Sequence, residues 1–149
     1  MRARDLAVKL PLVRLDDPVA RAVRVMADEG LPGLVIVDHR DIPQFVLRGT
    51  QVLRLLVSQY SDDPALARAV DEASADLFWS EVGARSIDDC LAPEEARRAT
   101  VPRDATVLEV AITMSRLRTP IVAVVNDEGQ IRGCITLNRL LTSTELPEA

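Results

Sequence analysis

Apolar residues recur along the chain in two rhythms, and those rhythms alternate in the same order twice. Val19, Ala22, Val23 and Met26 lie three or four residues apart, the spacing of one helical face. Asp17 and Pro18 ahead of them predict a cap and a first-turn proline, and Gly30 predicts the stop. Residues 34–37 form an uninterrupted apolar run rich in β-branched side chains, which predicts a buried strand. A polar turn over His39, Arg40 and Asp41 leads to a second strand at 45–47, and Val52, Leu53 and Leu56 outline a second helix. The order then returns. Thr106 and Glu109 have the spacing of a capping box, with Val107, Val110, Ala111 and Met114 as the inward stripe. Strands are predicted at 121–125 and 131–135 around the turn Asp127-Glu128-Gly129, and Leu140 and Leu141 begin the last helix. A faint strand, near residues 12–13 and 100–101, precedes each helix.

Sliding the chain along itself so that Met26 falls on Met114, an offset of 88, makes the duplication explicit. Without a gap, Val13 meets Val101, Asp16 meets Asp104, Val19 meets Val107, Pro32 meets Pro120, Val37 meets Val125 and Leu53 meets Leu141. Apolar character also matches where identity does not, as for Leu34 with Val122 and Val46 with Cys134. The chain therefore reads as two diverged copies of one strand-helix-strand-strand-helix unit. Between them, Asp63-Pro64 opens another helix. Leu66, Ala69, Val70, Ala73 and Leu77 would share a face over about four turns. Phe78 and Trp79 close it. Packing against one of the copies is their ordinary role, and anchoring a subunit interface the sharper alternative. The predicted division is a first repeat at 1–59, a helical insertion at 60–84, a second repeat at 85–145 and a short tail at 146–149.

Composition narrows the function. The chain has 149 residues, is 48% apolar and 28% charged, and carries a net charge of −5. An acidic balance argues against nucleic-acid binding, which needs a basic footprint. No apolar run approaches the roughly 20 residues of a membrane span, and the mixed-charge N-terminus does not read as a secretory signal. A cytoplasmic location is expected. Cys90 and Cys134 are too few for a disulfide framework and are not spaced as metal ligands. Of the 18 basic residues only Lys9 is a lysine, a bias that points to a GC-rich, bacterial genome.

The chain resembles a tandem pair of CBS domains, the regulatory arrangement called a Bateman module. The likeness is carried by the segments Ala3-Arg4-Asp5-Leu6 and Ile87-Asp88-Asp89-Cys90-Leu91 and by the Asp-x-x-Val helix starts at Asp16 and Asp104. It continues through Leu-Pro-Gly-Leu-Val-Ile-Val-Asp at 31–38, Thr-Pro-Ile-Val-Ala-Val-Val-Asn at 119–126, and Gly133-Cys134-Ile135-Thr136. It covers nearly everything except residues 60–84 and the tail. The resemblance implies an α+β fold, two βαββα repeats packed about a pseudo-twofold with a cleft on each side. It also implies homodimers, adenosine-containing ligands such as AMP, ATP or S-adenosylmethionine, and no catalysis.

The family's ligand signature is a Ser or Thr at the end of the third strand with an Asp three residues later, the hydroxyl for phosphate and the carboxylate for both ribose hydroxyls. In the second copy Thr136 holds the first position but Arg139 the second; in the first copy the residues are Arg48 and Gln51. An arginine has donors only and does not replace that carboxylate. Two readings follow. In one the sites have degenerated and the module dimerises or docks without a ligand. In the other Arg48, Arg118 and Arg139 draw an anionic ligand to the cleft mouths, with Thr119 and Val101 beside them and the Thr136 cleft as the expected site. The candidate ligand-binding residues are thus Thr136, Arg139, Arg118, Thr119, Val101, Arg48 and Gln51.

No phosphate-loop, dinucleotide-fold, metalloprotease or hydrolase-elbow pattern occurs. His39 belongs to a polar turn, Cys134 to an apolar strand, and Cys90 to a packed segment. The acidic pairs Asp16-Asp17, Asp62-Asp63, Asp88-Asp89 and Glu94-Glu95 read as caps and solvated surface. Arg97-Arg98 reads as part of a charged loop. The expected role is a stand-alone regulatory pair that senses an adenosine-containing ligand and acts in trans on a partner enzyme or transporter, without cofactor chemistry, nucleic acid or membrane insertion.

Overall fold

In a computed structural model of the chain, residues 1–57, 64–92 and 97–148 are described. A short helix, α1 (Ala3–Leu6), precedes the first copy. That copy runs β1 (Val13–Arg14), α2 (Val19–Asp28), β2 (Gly33–Val37), β3 (Pro43–Arg48) and α3 (Gly49–Val57). Helices α4 (Pro64–Arg68), α5 (Glu72–Ala84) and α6 (Ile87–Cys90) follow. The second copy is β4 (Thr100–Pro102), α7 (Val107–Leu117), β5 (Ile121–Val125), β6 (Ile131–Thr136) and α8 (Leu137–Ser143). Each copy thus has the expected βαββα order in an α+β fold.

The two three-stranded sheets have the same pairing: the middle strand runs parallel to the first and antiparallel to the third. Their registers agree residue for residue at the offset of 88. Val13 faces Ile36 as Val101 faces Val124, and Leu34 faces Leu47 as Val122 faces Ile135. Even the bulge recurs, at Ile36/Val37 and at Val124/Val125. Both middle strands are buried along almost their full length, which explains their continuous apolar runs. Gly33 corresponds to Ile121. A Cβ at Gly33 would lie 2.6 Å from the Leu47 carbonyl of its own sheet, while the Ile121 Cγ2 methyl across the copy boundary would be in ordinary contact at 3.4 Å.

The lead-in segments are exchanged. Ala3 N–H donates to the Ala105 carbonyl (2.8 Å) and Arg4 N–H to that of Arg103 (2.9 Å), so α1 lies on the second copy. Ile87 N–H donates to the Asp17 carbonyl (3.0 Å) and Asp88 N–H to that of Leu15 (3.0 Å), so α6 lies on the first. Val8 bridges Cys134 on one side and Arg97 bridges Val46 on the other.

Three local expectations are corrected. Asp17 does not cap α2. Pro18 occupies that position without a side-chain bond, while the Asp17 carboxylate turns back to accept the Arg14 N–H at 2.8 Å. The insertion is not one helix, because Asp71 accepts the Ser74 N–H (2.7 Å) and starts α5 afresh. Ala69, Ala73 and Leu77 are exposed, and α5 instead turns Val82 inward and Gly83 toward Ala20 of α2. Asp62, Asp63, Glu94, Glu95 and the side chain of Leu66 lie outside the described residues, as does the expected boundary at 59–60. Phe78 and Trp79 do not close the inserted helix, because α5 continues to Ala84. In the last helix of each copy Val52, Leu55 and Leu140 fill the core, while Leu53 and Leu141 are 56% and 57% exposed. Among the described residues no helix is long and apolar enough to cross a membrane.

The hairpin turns show how two copies reach one geometry with different residues. Asp38 Oδ1 accepts the Arg40 and Ile42 N–H groups, both within 2.9 Å, as Asn126 Oδ1 accepts those of Glu128 and Gln130. Asp41 (φ 63°) stands where the second copy has Gly129 (φ 80°). The Ile42 N–H, then the Arg40 N–H and the charges of Arg40 and His39, hold the Asp38 carboxyl below its usual 3.8 against a partial desolvation. A carboxyl lowered by folding stabilises fully above its unfolded value, and that contribution is lost as pH falls through the folded one. Asp38→Asn, which copies Asn126, should keep the turn and flatten this part of the acid limb in urea melts taken from pH 5 downward. An unchanged acid limb would show that the Asp38 carboxylate contributes nothing.

Candidate functional site

Of the residues singled out from the sequence, four converge. Arg48 ends β3, and Gln51 lies in the first turn of α3. Arg118 and Thr119 follow α7. Together with Arg97, Arg116, Val46, Ala99 and Leu117 they line a cleft of about 470 Å³ between the two copies. It has a cationic mouth, formed by the exposed guanidinium groups of Arg48, Arg97, Arg116 and Arg118, and an apolar wall. No Asp or Glu is among its described lining residues, and none of the four arginines forms an ion pair among the described residues.

The polar groups at the base are locked. Gln51 is only 6% exposed, and its Oε1 accepts the Arg48 N–H at 2.8 Å. Thr119 is 9% exposed. Its hydroxyl donates to the Ile121 carbonyl (2.6 Å) and accepts the Ile121 N–H. These bonds orient the Arg48 backbone and the start of β5, so the arginines project from ordered elements.

Arg118 is the unusual residue. It caps α7 in the left-handed region, at φ 51° and ψ 44°. At the same place in the first copy stands Gly30, at φ 61°. Left-handed backbone costs a residue with a Cβ on the order of 1 kcal/mol, and a bulky side chain held there marks a position where something outweighs the strain. Arg118 is already a candidate from the sequence, and the offset of 88 that pairs it with Gly30 marks the same position a second way. Arg97 and Arg116 carried no such signal. Arg97 is brought to the cleft by the bridge to Val46, and Arg116 by the last turn of α7.

Thr136, Arg139 and Val101 lie elsewhere. The Thr136 hydroxyl caps α8 by accepting the Arg139 N–H (3.2 Å), and Arg139 Nε donates to the Leu6 carbonyl (3.2 Å), tying α1 to α8. Val101 is buried in the second sheet. The cleft expected around Thr136 is therefore not where the cations collect. They gather around Arg48 and Gln51, because α7 of the second copy delivers Arg116 and Arg118 to the first copy's side. A separate basic hollow of about 460 Å³ lies beside α1, among Arg4, Lys9, Arg103 and Arg132.

Other candidates are accounted for by structure. His39 is exposed in its turn, with Nε2 3.5 Å from Asp16 Oδ2. Cys134 is buried in β6, and burial pushes its thiol up to about 12, so it stays neutral and unreactive. Cys90 is half-buried against the first copy's core. Trp79 is 47% exposed beside an apolar groove formed with Ala20, Val23, Ala27 and Leu56.

Comparisons with known proteins agree with this architecture. The sequence family described as CBS domain matches residues 95–144. The chain is similar to a crystallised CBS domain-containing protein of unknown function from Kribbella flavida, with 42% identity over 95% of this chain and 97% of that one and a TM-score of 0.79. It shares its fold with CBSX2 in complex with AMP, at 15% identity, TM-score 0.65, and 95% and 94% of the two chains. The CBS domain pair of protein MJ0100, in complex with 5′-methylthioadenosine and S-adenosyl-L-methionine, gives 18% identity, TM-score 0.64, and the same coverage. A search of curated proteins finds no match.

Replacing Arg118 by the glycine of the first copy separates fold from function. Arg118→Gly should melt no earlier than the parent, and roughly 2–4 °C later for each kcal/mol of relieved strain. A lowered melting temperature would show that the left-handed arginine is not strained.

Proposed function

The chain belongs to the CBS-domain family, and from that premise we propose that it is a non-catalytic regulatory module. It senses an adenosine-containing ligand in the cleft between its two copies and signals in trans to a partner enzyme or transporter in the cytoplasm. The observation that carries this reading is the cleft itself: four arginines from both copies converge on one opening of an acidic protein. Guanidinium groups suit phosphate, and the wall of Val46, Ala99 and Leu117 suits a flat base. The ligands of CBSX2 and of the MJ0100 pair support an adenosine compound. Because Arg48 belongs to one copy and Arg116 and Arg118 to the other, a ligand gripped by all three favours one arrangement of the copies over others. That differential affinity is what a sensor needs to move a population.

The module acts as a homodimer. Leu108 and Ile112 on α7, and Leu137 and Leu141 on α8, are exposed at helical spacing on neighbouring helices. A groove of about 550 Å³ runs between them, apolar along Ala111, Met114, Leu137, Leu140 and Leu141 and bordered by Arg48, Arg118 and Thr119 where it meets the cleft. An apolar face of this kind is what a second copy covers. Leu141→Glu, at an exposed position, should leave the fold intact and halve the mass measured by light scattering. An unchanged mass would remove this face from the interface.

The ligand reading is tested by thermal unfolding against AMP, ADP, ATP and S-adenosylmethionine. A ligand at 100 times its dissociation constant stabilises by about 2.7 kcal/mol. That corresponds to a rise of roughly 5–10 °C for a chain of this size. The rise should disappear in the double variant Arg48→Ala/Arg118→Ala. No rise with any of the four would favour the alternative, a dimerising and docking module whose clefts hold no nucleotide.

A further inference from the structure

Building on the reading of this cleft as a ligand site, we propose that it recognises two or more phosphoryl groups and ignores the sugar, so that its ligand class is an oligophosphate ester. The argument is one of donors, acceptors and charge. Arg48, Arg97, Arg116 and Arg118 offer only donors, and their four positive charges have no carboxylate opposite them among the described lining residues. A single phosphate monoester brings at most about two negative charges, so one phosphoryl group leaves half of the cleft's charge unmatched. A di- or triphosphate matches it and supplies enough anionic oxygens for several guanidinium forks.

Hydroxyl groups fare differently. A ribose diol is held most selectively by a carboxylate that accepts from both hydroxyls, and none is among the described lining residues; the neutral side-chain oxygens at the base already bond backbone groups. Gln51 Oε1 takes the Arg48 N–H, and the Thr119 hydroxyl is engaged with both backbone groups of Ile121. The apolar wall contributes contact without choosing between bases. S-adenosylmethionine, with a sulfonium and an ammonium, carries the wrong charge for this opening.

Calorimetric titration of the full chain at constant ionic strength decides the matter. The ligands are AMP, ADP, ATP, 2′-deoxy-ATP, inorganic tripolyphosphate and S-adenosylmethionine. Affinity should rise at least fivefold with each added phosphate, 2′-deoxy-ATP should bind within twofold of ATP, and tripolyphosphate within tenfold. Arg116→Ala and Arg118→Ala should each weaken ATP at least tenfold with an unchanged circular dichroism spectrum. Arg132→Ala, in the other basic hollow, should not. AMP binding as tightly as ATP, or 2′-deoxy-ATP binding more than tenfold weaker, would overturn the inference while leaving an adenosine sensor standing. Tripolyphosphate binding without any nucleotide would overturn both, since neither an oligophosphate ester nor an adenosine compound would then be held. Affinity for ATP untouched by both arginine variants, or no binding by any of these anions, would also overturn it.

Discussion

The exchange of lead-in segments is the constraint on which the rest of the molecule depends. Backbone groups of α1 are satisfied by the second copy and those of α6 by the first, through pairs of hydrogen bonds between 2.8 and 3.0 Å. Buried backbone donors must find acceptors, and here they find them across the copy boundary. Neither copy therefore closes its own edge with its own chain. The same crossing brings Arg97, at the end of the second lead-in, beside Val46 of the first copy and so into the cleft. Architecture and site share one cause.

Against this near-symmetric frame, the departures are informative. Registers, bulges and left-handed positions coincide at the offset of 88, with Gly30 and Asp41 in one copy answered by Arg118 and Gly129 in the other. The backbone was retained while the residues drifted. Gly33 against Ile121 is drift at a position where the first copy's own Leu47 carbonyl leaves no room for a side chain. Arg118 is drift of another kind. It adds strain at a helix end and places a charge where three more already stand. Such a residue is not explained by the stability of the protein alone, which is what the proposed ligand site would account for.

The arginines divide the two sides of the molecule. On one side they crowd a cleft whose base is sealed by Gln51 and Thr119. On the other, Thr136 and Arg139 are consumed in capping α8 and tying it to α1. Under the proposed function, a ligand that neutralised the first side would relieve mutual repulsion between side chains contributed by both copies, and binding would be coupled to the relative placement of the copies through ordinary electrostatics.

Hydrophobic periodicity and the repeat offset were sufficient to determine the element order within each copy and which positions of the two copies are equivalent, and the α+β fold class followed from the resemblance to CBS domain pairs. Element order and equivalence are local or self-similar properties, written once per residue and repeated 88 positions on. The capping box at Thr106 and Glu109 was legible for the same reason, since its partners are three residues apart. What failed to read true depended on competition between neighbours, as where Asp71 restarts a helix or Asp17 turns back to Arg14. The cleft was decided only by tertiary structure. Arg48, Arg97 and the pair Arg116 and Arg118 come from three separate segments of both copies, and no spacing along the chain records that the exchanged segments and the crossing of α7 bring them to one opening.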